Sequence, residues 1–480
     1  MDTDRRGALV SGILAGFLAS LLLFVAIGAW STTRAGGGDD DYLLAGRSVP
    51  AWLAALSSVA TNNSGFMFVG MIGFTYRGGV HTVWMAVAWV LGDLAAWLWV
   101  HPRVRALSGA TDALSVPTLL AERDHTLVVR TAALLTVLFL GGYAAAQLQA
   151  GSLALEQLFG WPAWAGAVIG AVIVLVYCVA GGLRASIWTD AAQAGVMMLA
   201  MLLLLGVAAA RVGGPLALHD ALAAQDPALV DWFPSSSSAG FPLWVLGFLA
   251  GGFGAIGQPH ILVRTMSVSS VAEVARARPI YFAWFVPFYV MGVLVALYAR
   301  VLLPELGGAG AAVRATEGAL PALASLLLPG VLVGVVLAGL FAATMSTADS
   351  QILSCSAALT EDLVPRDAPW RPSPKLATLA VTAVALAVAL TAEGGVFALV
   401  LRAWGILGAA LGPLLLVRVA GGRPPQSLAL AMMAAGVGVV LTWPLLPGTG
   451  DVYALLPGMV APLLLYAVAR GGSPVATRIE

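Results

Sequence analysis

The sequence predicts an all-α integral membrane protein of about 13 transmembrane helices, and three observations carry that prediction. Of its 480 residues, 60% are hydrophobic and only 10% charged, too little polar surface for a soluble chain of this length. Apolar runs of about 18 to 25 residues recur along it, the length of a spanning helix and not of a barrel strand. Two of those runs are interrupted by polar and glycine-rich stretches, which marks discontinuous helices.

The first run, Leu9 to Trp30, follows Arg5 and Arg6 as a signal peptide would. It exceeds the ~7–15 residues of a signal core and lacks a convincing cleavage site, so it is read as a spanning helix over 7–30. Spans two to six are expected near 50–76, 80–101, 126–158, 162–180 and 187–212. Spans seven to eleven are expected near 241–262, 277–303, 328–359, 373–391 and 394–418, and two C-terminal helices near 427–446 and 452–470. Turn-rich segments separate them, among them "GGGDDD" (Gly36–Asp41), read as a solvated loop, and "PSSSS" (Pro234–Ser238). Cys178 and Cys355 fall inside apolar runs, so no disulfide framework is expected. Formal net charge is zero, which gives no hint of a nucleic-acid partner; the lipid bilayer is the partner expected.

The first interruption is "SSVATNNSG" (Ser57–Gly65) in the second span. Backbone that leaves the helix at membrane depth survives only where protein or a water-filled cavity satisfies it. A break near Ala60–Gly65 would free carbonyl oxygens able to coordinate a small cation. The second is "LAGGFGAIGQPHILVR" (Leu249–Arg264) in the seventh span. Its literal G-x-G-x-x-G has no strand before it, so it is a broken helix and not a dinucleotide loop. The two breaks lie five spans apart, and interrupted helices at matching places in two halves point to inverted repeats with a binding site at the midplane. The first repeat is therefore expected over 50–212 and the second over 241–418, in opposite orientation because five is odd.

Basic residues set the orientation. With the N-terminus outside, one side collects Arg34, Arg47, Arg103, Arg105, Arg184, Arg264, Arg371 and Lys375 among others, while the opposite side keeps Arg5, Arg6, Arg77, Arg211, Arg300 and Arg314. The richer side is cytoplasmic, so a multi-pass protein of the cell membrane is expected, with the N-terminus outside and the C-terminus inside.

Ionisable groups at membrane depth are costly and therefore candidates for function. In "AATMSTADSQILSCS" (Ala342–Ser356) of the ninth span, Ser346, Thr347, Asp349 and Ser350 lie within about one and a half turns. Such hard oxygen donors suit a hard cation such as sodium, although serine and threonine also bond back to their own helix. Asp190 opens the sixth span, where it serves either the helix dipole or a site near Asp349. Asp93 and Arg402 also fall within spans, with partners left open. The five histidines show no ligand spacing, and no catalytic motif appears, so no enzyme is expected.

Several stretches together resemble the solute:sodium symporter family, closest to the sodium/proline symporters. They are "LAGRSVPAWLAALSSVATNNSG" (Leu44–Gly65), "SIWTDAAQ" (Ser186–Gln193), "GQPHILVRTM" (Gly257–Met266), "MSTADSQIL" (Met345–Leu353), "TEDL" (Thr360–Leu363) and "AWGILGAALGP" (Ala403–Pro413), in the family's order over nearly the whole chain. The resemblance implies a five-plus-five inverted-repeat transporter core, one helix before it and two after. It implies a main sodium site of backbone oxygens of Ala60, Asn63 and Ala343 with the hydroxyls of Ser346 and Thr347. A second cation site would draw on Asp190, Ser346, Asp349 and Ser350. The substrate site would involve Asn62, Ser64, Tyr143, Gly251, Ala255 and Pro259. Departures stand out: Asn62 replaces an aspartate, Asp349 a serine, and Gly251 and Ala255 a tryptophan and a tyrosine, which implies a larger, less aromatic pocket.

The function expected is a sodium-coupled secondary active symporter that imports a small polar solute, proline or a related amino acid, with sodium as the coupling ion. The rival readings are a symporter for a carboxylate or another solute, proton coupling in place of sodium, a channel, and a transporter-like sensor.

Overall fold

The computed structural model describes residues 3–34, 36–121, 125–233, 240–307, 313–365, 367–391 and 396–471. Nearly all of them are helical, and among the described residues no strand forms beyond an isolated bridge between Val49 and Val268. The main helices are α1 (Thr3–Thr32), α2 (Ala51–Asn62), α3 (Ile72–Gly78), α4 (Val83–Ala95), α5 (His101–Thr111), α6 (Thr126–Leu135), α7 (Gly141–Phe159) and α8 (Ala163–Val212). There follow α9 (Phe241–Phe253), α10 (Pro259–Ser267), α11 (Val271–Leu302), α12 (Gly330–Ala357), α13 (Pro374–Thr391), α14 (Val396–Val419), α15 (Gln426–Thr442) and α16 (Leu455–Ala469). Wide π-helical turns at Phe66–Met71, Ala96–Val100 and Thr136–Leu140 lead into α3, α5 and α7, and one at Ala358–Leu363 follows α12.

Nine helices among the described residues are long and apolar enough to cross a membrane, or ten if one bent pair counts as a span. The other expected segments differ for identifiable reasons. The second is split by its break into α2 and the stretch leading to α3. The seventh is the bent pair α9–α10, which turns by 55°. The fifth and sixth run together as α8, which folds sharply at Gly182 (φ 56°, ψ −142°). There a Cβ would lie 2.3 Å from the Tyr42 carbonyl oxygen, so both the dihedral and the space demand glycine. The last, α16, has only 15 residues.

Burial ranks the helices. In the apolar window of α12, 83% of residues are buried, against 28% in α1 and 28% in α15. The central helix α12 packs on α8, α1, α7 and α2, so its polar side chains meet protein and not lipid. Along the α1–α12 seam, a Cβ on Gly16 would lie 2.2 Å from the Val331 carbonyl oxygen, and one on Gly334 2.3 Å from that of Ile13. Small residues there bring two backbones together, the usual device of membrane helices.

The run Gly36–Asp41 is solvated as expected, with residues 36 to 40 exposed, but it is not all loop. Asp39–Leu44 forms a short helix whose acids meet arginines: Asp41 pairs with Arg184 at 2.5 Å, Asp40 with Arg47 at 3.8 Å and Asp39 with Arg371 at 4.0 Å. Neutralisation by three separate connections draws the segment onto the protein. At the other end, Arg77 donates to the Thr316 hydroxyl and the Arg300 guanidinium lies 5.2 Å from the Tyr76 ring centroid.

Candidate functional site

The first break falls at Asn63 and Ser64. Helix α2 ends at Asn62, Asn63 leaves helical dihedrals (φ −93°, ψ 70°), and the chain resumes through the wide turn Phe66–Met71. Polar side chains take over where the backbone ladder stops. The Ser64 hydroxyl accepts from the Phe66 amide at 3.1 Å and pairs with the Tyr143 hydroxyl at 3.2 Å. The Gly65 amide donates to Gln147 Oε1 at 2.9 Å.

Four of the residues expected to hold sodium converge beside this break. The Ser346 hydroxyl lies 3.1 Å from the Ala60 carbonyl oxygen and 3.2 Å from that of Ala343. The Thr347 hydroxyl lies 3.1 Å from the same Ala343 oxygen and 2.9 Å from the Thr61 carbonyl. Thr61 is an addition that sequence reasoning missed; its place between Ala60 and Asn62 was the available signal. Asn63 stands apart, with no hydrogen bond to α12 among the described residues. Its amide turns back to the Val59 carbonyl at 2.7 Å, leaving Oδ1 buried without a partner. The set is all oxygen and fully buried, and a small hard cation suits it.

Next to it lies a second cluster, organised by a residue the sequence reading misplaced. Arg264 was counted among cytoplasmic basic residues, yet it is wholly buried. The bend of α9–α10 turns α10 inward against α2, which carries the guanidinium into the core. Its Nη2 lies 3.1 Å from Asp190 Oδ2 and 2.9 Å from the Ser186 hydroxyl, its Nε 3.2 Å from that of Ser57, and it also meets Ser350. Ser57 donates to Asp190 Oδ2 at 2.6 Å. Asp349 accepts from the Tyr177 hydroxyl at 2.7 Å and from Ser350 at 2.8 Å, not from Arg402, which is exposed on α14. Asp190, Asp349, Ser346 and Ser350 are therefore neighbours, linked through Ser350, whose hydroxyl reaches the Ser346 carbonyl at 2.5 Å. Asp190 pairs directly with the guanidinium and Asp349 is linked to it through Ser350, while Asp190 Oδ1 is buried without a hydrogen-bond partner. Ionised, the cluster carries one uncompensated negative charge.

On the other side of the break is a small, tight cleft lined by Asn62, Ser64, Phe66, Trp89, Tyr143, Tyr289, Val400, Leu401 and Trp404. Three expected substrate residues, Asn62, Ser64 and Tyr143, are in that lining. Gly251, Ala255 and Pro259 are not. Gly251 instead makes room for Trp89, whose ring would lie 2.7 Å from a Cβ there, and its carbonyl accepts from the Trp404 indole at 2.8 Å. The rings that line the cavity beside Gly251 come from α4 and α14, as Trp89 and Trp404. Ala255 lies fully buried in the tight turn before α10, its carbonyl 3.1 Å from the Gln258 amide, and Pro259 opens α10, where no amide hydrogen is needed.

Two further residues reach the site through partners that the sequence reading did not supply. His260, screened there only as a metal ligand, is fully buried between the rings of Tyr143 and Trp404, at 5.9 and 6.4 Å, with neither nitrogen hydrogen-bonded. Its position directly after Pro259 in the second break was the signal. Asp93, on α4, reaches the first break. Its Oδ2 accepts from the Tyr281 hydroxyl at 2.6 Å and the Asn62 amide at 3.4 Å, and that amide also donates to Tyr281 at 2.6 Å.

Residues 42–436 match the model of the sodium:solute symporter family. The sodium/proline symporter of Escherichia coli is 31% identical over 94% of this chain and 91% of its own length. The osmoregulated proline transporter of Bacillus subtilis is 29% identical over 93% and 91%. Among solved structures, a sodium-coupled sialic acid symporter superposes with a TM-score of 0.78 at 20% identity, covering 96% of this chain and 98% of that one. A nucleobase-cation-symport transporter gives 0.60 at 15% identity, covering 91% and 96%. These likenesses show a shared helical transporter fold.

Proposed function

The chain belongs to the sodium:solute symporter family, and on that premise we propose that its cargo is proline or a related small amino acid, carried into the cell with sodium. The observation that carries the reading is that one five-residue segment, 60–64, at the end of α2 and into the break, faces two different clusters. Carbonyls of Ala60 and Thr61 face the hydroxyls of α12, while the side chains of Asn62 and Ser64 line the aromatic cavity. Relatives named as proline transporters over about nine-tenths of the chain support the cargo.

In this reading sodium sits among the oxygens of Ala60, Thr61, Asn63, Ala343, Ser346 and Thr347. It bridges α2 to α12 and replaces the hydrogen bonds now joining them. Bracing residues 60–64 from one side fixes Asn62 and Ser64 on the other, so the solute site is complete only when the ion is bound. That shared segment is the physical basis of coupling, and it is reciprocal: bound solute tightens sodium by the same factor. A second cation would join Asp190, Ser346, Asp349 and Ser350. Tyr143 and the two tryptophans would pack on the solute, while Gly251, Ala255 and Pro259 shape the wall behind them.

The proposed frame is a cell-membrane protein with a first repeat over 50–212, a second over 241–418, and the N-terminus outside. The loops around Arg47, Arg184 and Arg371 meet at one end and those around Arg77 and Arg300 at the other, as alternation requires. A cysteine replacing Asp220 should react with an impermeant thiol reagent on intact cells and one replacing Ser373 should not. The reverse pattern inverts the orientation.

The test of the function is uptake of labelled proline into vesicles, driven by an imposed sodium gradient and competed by amino acids, carboxylates and sugars. Accumulation above the external level is expected with sodium alone. Downhill flux only would indicate a channel, accumulation with a proton gradient alone would indicate proton coupling, and competition by carboxylates but not amino acids would replace the cargo.

A further inference from the structure

We propose that Asp93 is the anionic element of the solute site and recognises the positively charged nitrogen of a zwitterionic amino or imino acid, acting beside Asn62. The inference rests on the reading of the cargo as an amino acid. Asp93 is 1% exposed in the middle of an apolar span, where a carboxylate is costly without a counter-charge. Among the described residues it forms no ion pair, and its hydrogen-bond donors, a phenol and an amide, are both neutral. Its Oδ1 has no partner, and neither has Oδ1 of Asn62, which lines the cavity. Two orphaned acceptors thus stand on adjacent side chains, Asn62 in the lining of an aromatic pocket and Asp93 directly behind it. What completes them is a cation with N–H donors: a secondary ammonium offers two and presents an apolar ring to Trp89, Tyr143 and Trp404. The Tyr281 hydroxyl and the Asn62 amide hold the carboxylate through Oδ2, leaving Oδ1 without a partner.

The test uses ligand-induced thermal stabilisation of the purified full chain, which needs no turnover. Proline is compared with tetrahydrofuran-2-carboxylate, in which oxygen replaces the ring nitrogen, and with sodium alone. In the parent protein proline should stabilise at concentrations far below those of the oxygen analogue. In Asp93→Asn that preference should fall by roughly tenfold or more, the scale of a hydrogen bond to a charged group, while stabilisation by sodium alone persists. The swap Asp93→Asn with Asn62→Asp returns a carboxylate across the same hydrogen bond and should regain preference. It is read by itself should the single variant fail to fold. An unchanged preference in Asp93→Asn, or a folded swap with none, overturns the proposal. Loss of sodium stabilisation with preference intact also overturns it, because the cation at Asp93 would then be sodium. A parent protein that takes up no amino or imino acid removes the reading of the cargo, and this inference falls with it, an outcome visible without any variant.

Discussion

Asp190 and Asp93 are equally buried and both contact the first broken helix, yet one lies against the Arg264 guanidinium and the other against a phenol and an amide. The cluster around Asp190 brings its own cation and is knitted to α2, α8, α10 and α12 by serine hydroxyls. The network around Asp93 stops at neutral donors and leaves two oxygens unmet. The difference separates a carboxylate with a permanent cationic partner from one that, on the proposal above, is completed by the solute.

The harshest way to break this contrast is to remove the permanent partner. Arg264→Gln leaves Asp190 and Asp349 buried without a guanidinium, which should cost about 3–5 kcal/mol and most of the folded protein. Adding Asp190→Asn should return much of it. Thermal unfolding in detergent compares the two, and a single variant as stable as the parent would show that the pair is not what neutralises the cluster. Next in size, Ser346→Ala with Thr347→Ala removes two hydroxyls from the oxygen set. The sodium concentration for half-maximal uptake should rise by roughly tenfold or more with expression little changed; unaltered sodium dependence would move the ion elsewhere.

A smaller effect sharpens the comparison. Asp349→Asn should weaken sodium activation roughly several-fold, within the worth of a single charged contact. Adding Asn62→Asp should recover none of it, because residue 62 belongs to the Asp93 network and not to the Asp349 cluster. Recovery would mean that the two regions act as one. The mildest change is Gly251→Ala, whose methyl would press within 2.7 Å of the Trp89 ring. Affinity for solute should fall about two- to threefold, the scale of mild overpacking that a ring end can relieve, with sodium activation unaltered. An equal loss in both would show that the cavity wall and the ion site are not separable.

Much of this arrangement was legible because the bilayer makes polarity informative. A serine, threonine or aspartate in an apolar run must have a reason, so Ser346, Thr347 and Asp349 could be singled out, and the glycine–proline run marked the second break. What stayed hidden depended on three-dimensional approach. Arg264 stands at the end of an apolar run, where an arginine ordinarily faces water; only the bend between α9 and α10 takes it inside. Trp89 and Trp404 read as ordinary spanning residues until their rings are found in the space left by Gly251. Asp93 was recognised as being at membrane depth, but its partners, Asn62 and Tyr281, lie 31 and 188 residues away. The break itself was readable; its neighbours were not.

The seam of small residues between α1 and α12 bears on which parts can move. Gly16 and Gly334 each let the opposing backbone come closer than any side chain would allow, so the two helices are meshed and cannot slide past one another without first separating. They must travel, or stay, as a single rigid unit. Helix α12 brings the hydroxyls of Ser346 and Thr347 to that unit, and α1 becomes its splint. Any rearrangement that opens the cavity to one side of the membrane and then the other is thereby confined to surfaces elsewhere, at the broken helices and the bend between α9 and α10, where the chain already has joints.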